Sequence, residues 1–221
     1  MKTAVNIYWI VGALIAALFF RGFIISVYKI PTLSMAPTLL DGDFILASQM
    51  AYRLQFPWSN SIYLKAEPQI NDLIVFQFSV QKAASKSSAQ YLKRIVAVAG
   101  DQVEIKQGHL ILNGNPCEYE KKITINSLDV FRETCAGQTR EVAFASDRQM
   151  ASYLPQKVPA NEVYVLGDNR TMSDDSRDLG SVGVDQIAGR IGLILFSYGS
   201  TQDFISGSNQ SRWNRILTKP R

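Results

Sequence analysis

The sequence predicts a mostly β domain that carries an inserted subdomain and follows one N-terminal transmembrane helix. Three observations predict it: an uncharged apolar stretch near the start, short β-branched and aromatic runs between turn residues after it, and a more charged stretch holding both cysteines. A length of 221 residues suits one domain with an insertion. Apolar residues make up 47% and charged residues 19%, enough to bury a core.

Residues 7–20 read IYWIVGALIAALFF without a charge, and only Asn6 interrupts an extension back to Thr3. That length approaches what is needed to cross a hydrocarbon core of ~30 Å. Arg21 can reach one interface, while Tyr8 and Trp9 suit the other. A cleaved signal peptide would end on small residues, but Phe19, Phe20 and Arg21 follow here. A buried core helix would need neighbours on every side, since the stretch has no polar face. Residues 1–27 are therefore expected to be an uncleaved anchor. Its orientation is not coded by charge, because Lys2 stands against Arg21 and Lys29.

A β-domain is expected over 28–115 and 160–200. Candidate strands cover 44–48, 72–78, 91–98, 102–106, 110–112, 163–166 and 193–198, separated by signals such as Asp41-Gly42-Asp43, Gly100-Asp101 and Asn113-Gly114-Asn115. The polar run 81–88 reads as an exposed loop. Residues 116–159 read as the inserted subdomain; Cys117 and Cys135 there form either a disulfide, in an oxidising compartment, or two thiols. The tail, 201–221, is basic. Its Arg212, Trp213, Arg215, Ile216 and Leu217 suit a membrane interface or a frayed terminus.

Charge and composition exclude several functions. Lys and Arg total 23 against 19 Asp and Glu, a net +4 with no dense basic cluster, so a nucleic-acid surface is not expected. Anionic lipid is the better match for that excess. One histidine, His109, and two cysteines rule out a His-rich metal site or a four-sulfur zinc site. Hydrolysis here has to run without a histidine base, and neither metal nor cofactor is expected.

The chemistry-bearing candidates lie in three segments. In Pro31-Thr32-Leu33-Ser34-Met35-Ala36-Pro37 two prolines disfavour helix and hold Ser34 on a stiff loop, as a nucleophile requires. By itself such a loop after an anchor is an ordinary linker; it needs a base. A lysine can serve if burial disfavours its ammonium. Lys93 is the best candidate, with Tyr91 and Ile95 on its strand face and Leu92, Arg94 and Val96 on the other. An edge-strand lysine is its plain alternative. The third segment, from Gly167 to Arg177, follows an apolar strand and packs hydroxyls, carboxylates and guanidiniums together, or else forms a solvated turn.

Together these segments resemble the bacterial type I signal peptidases, the membrane-bound Ser–Lys leader peptidases. The resemblance runs from about residue 19 to 194 and rests on Ser34–Leu39, the strand at 72–76, residues 91–101 with Lys93-Arg94, and the Gly167–Arg177 box. It implies a signal-peptidase-like catalytic β-domain that removes N-terminal signal peptides from exported preproteins, after small residues of the Ala-x-Ala type, through an acyl-enzyme. Carried over by position, Ser34 is the nucleophile and Lys93 the general base. The Ser34 N–H and the Thr32 hydroxyl form the oxyanion hole. Ser173 hydrogen-bonds the lysine amine, while Asp168 with Arg94 and Asp175 with Arg177 make supporting ion pairs. Val27, Tyr28, Ile30, Met35, Gln90, Tyr91 and Leu92 bind substrate.

The resemblance also implies an inner-membrane location with the catalytic domain on the outer, periplasmic face, and no cofactor. Its implied partners are preprotein signal peptides, membrane lipids and the secretion translocon. Asn71 stands for the usual Gly before Asp72, Ala99 for the usual Pro before Gly100, and Thr171-Met172 for a frequent Asp-Asn. The alternatives are a specialised conjugation or pilus maturation peptidase, a Ser–Lys autoprotease of the SOS-repressor type, and a non-catalytic anchored β-domain. No DNA-binding segment supports the second.

Overall fold

The computed structural model describes residues 8–14, 25–55, 62–82, 85–125, 127–199 and 211–220. Residues 8–14 form a helix, α1, with Tyr8, Trp9, Ile10, Val11 and Leu14 exposed. The rest of the expected anchor, 1–7 and 15–24, lies outside the described residues. Among the described residues no helix is long and apolar enough to cross a membrane.

The rest is mostly β, in several antiparallel sheets. In chain order the strands are β1 (Ile25–Lys29), β2 (Asp43–Ser48), β3 (Arg53–Gln55), β4 (Ile62–Lys65), β5 (Leu73–Lys82), β6 (Ser85–Val98), β7 (Gln102–Lys106) and β8 (His109–Leu112). They continue with β9 (Asn115–Pro116), β10 (Glu118–Ile125), β11 (Leu128–Cys135), β12 (Gln138–Ala145), β13 (Tyr153–Lys157), β14 (Glu162–Leu166), β15 (Val182–Gly183) and β16 (Ile187–Ser197). The main sheet has the order β1-β2-β16-β5-β6-β14-β15. Separate sheets are formed by β10-β11-β12, by β13-β7-β8-β9 and by the β3-β4 hairpin.

Sequence pattern explains the placement. In β2, Asp43, Ile45 and Ala47 are buried in alternation, the period of a one-sided strand. Leu73–Phe76 in β5 and Val163–Leu166 in β14 are buried at every position, as expected where both faces are covered. One core cluster combines Ile45, Ala47, Leu73, Val75, Ile191 and Ile194 with Met35 and Leu39 from the loop after β1, so that loop is packed onto the sheet.

Several sequence expectations change here. The expected anchor ran through Val27, but β1 begins at Ile25 and pairs Val27 with Leu46, so 25–27 belong to the sheet. The expected loop at 81–88 contributes to a long β5–β6 hairpin, with Gln81 opposite Lys86 and Lys82 opposite Ser85. Polar composition hid it, because a hairpin ladder is made by backbone groups whatever the side chains. Strand β16 starts at Ile187, well before 193; Gly189 and Gly192 blurred its alternation. Gly189 is needed there, since an added Cβ would come within 2.9 Å of Ser48 O.

Within 116–159, β10, β11 and β12 make their own sheet, whereas β13 pairs with β7. Cys117 and Cys135 form a disulfide that ties the start of β10 to the end of β11. His109 is exposed at the start of β8 and meets Tyr119 edge-on at 4.4 Å. In the tail the charges turn inward: Arg215 donates to Asp43 Oδ2 at 2.6 Å and to Thr38 O at 2.8 Å, and Arg212 donates to Asp41 O at 3.0 Å. Trp213 and Leu217 stay exposed.

Candidate active site

Ser34 lies on the loop joining β1 to β2. A tight turn forms it, with Ala36 N donating to Leu33 O at 3.0 Å and Leu39 N to Met35 O at 2.9 Å, around a cis peptide between Ala36 and Pro37. Met35, Ala36, Leu39 and Leu40 are fully buried, which fixes the loop and leaves Ser34 half-buried at its surface. Thr32 is exposed, with Oγ1 3.2 Å from Ser34 Oγ.

Lys93 comes to this loop from β6, where it pairs with Ile74 of β5. Its Nζ donates to Ser34 Oγ at 3.3 Å, and the residue is only 3% exposed. The Tyr91 ring centroid lies 6.0 Å from Nζ, while Leu92 packs into the Met35 cluster, so strand alternation separates their surroundings. Burial pushes the Lys93 ammonium below its usual pKa; Asp175 and Asp174 pull it back up, Arg177 pushes it down, and Asp168 pulls it up. The desolvation effect dominates, which is the condition for a lysine to accept a proton near neutral pH.

The loop after β14 braces both groups. Arg94, next to Lys93, forms a two-pronged pair with Asp168: Nε to Oδ1 at 2.8 Å and NH2 to Oδ2 at 2.7 Å. Arg94 also donates to Asn71 Oδ1 at 2.9 Å and to Thr38 Oγ1 at 3.3 Å, linking three segments. Asn71 has φ of 79°, a left-handed position that Asn tolerates better than most residues. Asp175 accepts from Arg177 Nε at 2.7 Å and from Gly167 N at 2.9 Å, and caps the short helix α2 (Ser176–Leu179). The hydroxyl of Ser173 is buried and has no hydrogen-bond partner among the described residues, so the expected bond to the Lys93 amine is not made in this arrangement.

Other positioning residues went unnoticed in the sequence. Asn169 N donates to Ser34 O at 3.1 Å and its Nδ2 to Leu33 O at 3.2 Å, clamping the Ser34 loop. Gly167 leaves no room for a side chain, because an added Cβ would overlap Ser173 Oγ and reach 2.7 Å from Ser34 O. A buried network also joins the β10-β11-β12 sheet to this loop. Glu133 pairs with Arg140 and, at 2.6 Å, with Arg170, and it accepts from Tyr119 Oη at 2.6 Å. Burial pushes the Glu133 carboxyl up, but Arg170 and Arg140 outweigh it and hold the pKa down to about 2. Ala143 completes the joint, donating to Asp168 O at 2.8 Å and accepting from Arg170 N at 2.8 Å. Gly167, Asn169 and Arg170 fall in the strand-end box, but their partners lie far away in sequence and leave no local pattern.

Ser34 and Lys93 open into a cleft of about 730 Å³. Tyr28, Ile30, Met35, Gln90, Tyr91 and Leu92 line it. Val27 does not; alternation along β1 turns it outward, 55% exposed, whereas Tyr28 is half-buried and Ile30 buried. Strand β1 is the edge of the main sheet, and β14 pairs with β6 only from Arg94 onward. Two strand edges thus face one cleft beside the Ser34–Lys93 contact.

Comparison with known proteins bears on the family of the chain. Residues 3–196 match the family described as signal peptidase, peptidase S26. The chain is 32% identical over 172 residues to signal peptidase I of Pseudomonas fluorescens, covering 74% of this chain and 58% of that protein. It is 31% identical over 222 residues to signal peptidase I of Aquifex aeolicus, covering 83% and 80%. Signal peptidase I P of Bacillus subtilis subsp. natto is 29% identical over 202 residues, with coverage of 86% and 87%. The match with the Pseudomonas fluorescens relative thus spans less than two thirds of that protein. On the family match and the Aquifex aeolicus identity, the chain belongs to the signal peptidase, peptidase S26, family.

Proposed function

We propose that this chain is a membrane-bound serine endopeptidase that removes N-terminal signal peptides from exported preproteins, cutting after small residues in Ala-x-Ala sites. One observation carries the reading: Lys93, a residue almost fully buried, places its Nζ 3.3 Å from Ser34 Oγ. A buried amine beside a serine on a fixed loop is a nucleophile with its base.

The substrate adds as an extended strand along the open edges of β1 at Tyr28–Ile30 and β6 at Gln90–Leu92, bound by backbone hydrogen bonds. Pockets floored by Ile30, Met35 and Leu92 accept small side chains. Neutral Lys93 takes the Ser34 proton as Oγ bonds to the scissile carbonyl carbon. The Ser34 N–H and the Thr32 hydroxyl stabilise the oxyanion, a contribution of about 10²–10³ in rate where such a donor is preorganised. The Lys93 ammonium then protonates the leaving amine as the C–N bond breaks. Neutral again, Lys93 takes a proton from the water that attacks the acyl carbon and returns it to Ser34 Oγ as the ester C–Oγ bond breaks, releasing the signal peptide with a new C-terminal carboxyl group. Asp168–Arg94 and Asp175–Arg177 hold the frame, with Ser173 beside the nucleophile loop. The exposed apolar side chains of α1 support a membrane anchor. In this reading the anchor lies in the inner membrane with the site on its outer face, where lipids and the secretion translocon are its neighbours.

The test is cleavage in detergent of a preprotein with an Ala-x-Ala site by wild type, Ser34→Ala and Lys93→Ala. Cutting after the second Ala by wild type alone is expected. Equal cutting by all three overturns the Ser–Lys assignment.

A further inference from the structure

The cleft has walls that the proposed cleavage mechanism does not use. Met150 and Ala151, just before β13, line it with Thr171, Met172 and Asp174 from the loop after β14. Met172 is 56% exposed, an apolar side chain left uncovered on the cleft that Ser34 also lines. Its backbone is held in place: Met172 N donates to Asn169 Oδ1 at 3.2 Å, and Asn169 N donates to Ser34 O at 3.1 Å. Two hydrogen bonds therefore connect it to the residue that carries the reacting oxygen.

Met150 is fixed from behind. Thr171 Oγ1 accepts from Ala145 N at 2.7 Å and donates to Met150 Sδ at 3.7 Å. Gly108 lies against it so closely that a Cβ there would come within 2.8 Å of Met150 Cβ and Cγ. Both thioethers thus belong to segments away from the two strand edges at Tyr28–Ile30 and Gln90–Leu92, where the residues before the cut are bound in the proposed mechanism. A polypeptide bound on those edges must continue past Ser34, and an extended residue advances ~3.3 Å. Its first two residues after the cut cover roughly 7 Å of this remaining cleft.

We infer that Met150 and Met172 form a subsite for a large apolar side chain at the first or second residue on the mature side of the scissile bond. Thioethers are flexible and polarisable, so the subsite accepts Leu and Phe alike. Thr171 positions Met150 within it. Asp174, exposed on the same wall, adds a negative charge that disfavours Asp or Glu at these positions. The inference rests on the endopeptidase reading above.

The test uses the full chain in detergent and peptides that share one Ala-x-Ala site. They carry Ala, Leu, Phe or Asp at the first, and separately at the second, position after the cut. For wild type, kcat/KM at one of the two positions is expected to be at least about 10-fold higher for Leu or Phe than for Asp. Met172→Ser and Met150→Ala each lower the Leu-over-Ala ratio by about three-fold or more. A ratio of two substrates does not depend on the fraction of enzyme that folds, so a destabilised variant still reports. Wild-type ratios within about two-fold at both positions, or variants that leave them unchanged, overturn the subsite while Ser34-dependent cutting keeps the peptidase reading. No cutting of any peptide by wild type overturns the reading and the subsite with it.

Discussion

Replacing Gly167 with alanine adds one methyl group at the point where three parts of the site converge. The new Cβ would overlap Ser173 Oγ and Cβ and stand 2.7 Å from Ser34 O. Ordinary contact begins at 3.4 Å, so Ser34 O would have to retreat by roughly 0.7 Å, and Ser173 further. None of the contacting groups is the free end of a long side chain: one is the backbone of Ser34, the other a short hydroxyl side chain. The Asn169 N to Ser34 O hydrogen bond at 3.1 Å lies on the same atom and weakens with it. Displacement of a reacting group by ~1 Å costs about 10²-fold in rate. Gly167→Ala is expected to lower kcat on an Ala-x-Ala peptide by roughly 10- to 10²-fold, since it displaces Ser34 relative to Lys93. The assay is steady-state cleavage beside a thermal melt of the same sample. A folded Gly167→Ala protein with kcat within about two-fold of wild type refutes the close-approach argument.

Other perturbations have equally defined outcomes. Asp174→Asn removes a carboxylate that raises the Lys93 pKa, so the acid limb of the kcat/KM profile moves to lower pH; movement to higher pH contradicts the electrostatics. Glu133→Gln leaves Arg140 and Arg170 buried without their shared charge, which costs about 3–5 kcal/mol. In a chain of this size that lowers Tm by roughly 10 °C, measurable by circular dichroism. The native Glu133 contribution is present above the unfolded carboxyl pKa of 4.5 and fades as pH falls through about 2, so acid unfolding of wild type falls in that window. Arg215→Ala removes charged hydrogen bonds to Asp43 and Thr38 O, destabilising by roughly 1.5–3 kcal/mol per bond lost. It loosens the far end of the Ser34 loop, so kcat drops in residual folded enzyme; an unchanged melt and rate would show the tail to be dispensable.

What could be read from sequence followed how local the cause was. Strands β2, β7 and β14 carry their period or their apolar run on the surface of the sequence, and Pro31 and Pro37 mark the loop around Ser34. Lys93 was legible because a single histidine, His109, left few other bases, and an apolar strand surrounds the lysine. The hairpin extension through 81–88 was not legible, since its hydrogen bonds come from backbone groups beneath a polar sequence. Glu133 reads as one more carboxylate in a charged stretch until the β11–β12 register sets it opposite Arg140 and the loop after β14 brings Arg170 to it. The tail arginines suited a lipid surface on charge alone, yet Arg215 is satisfied by Asp43, 172 residues away. Long-range pairing of this kind has no periodicity to betray it.

The account depends on a neutral lysine beside Ser34, and its most direct test is the NMR titration of Lys93 Cε in the folded wild-type chain with labelled lysine. Between the lowered folded value and the unfolded 10.5 the unfolded chain holds a proton that the folded chain lacks, so stability also rises with pH across that window. The account predicts that the Lys93 signal titrates well below the other lysines and coincides with the acid limb of kcat/KM. A Lys93 that titrates at the ordinary lysine value, in an enzyme active at neutral pH, would contradict it.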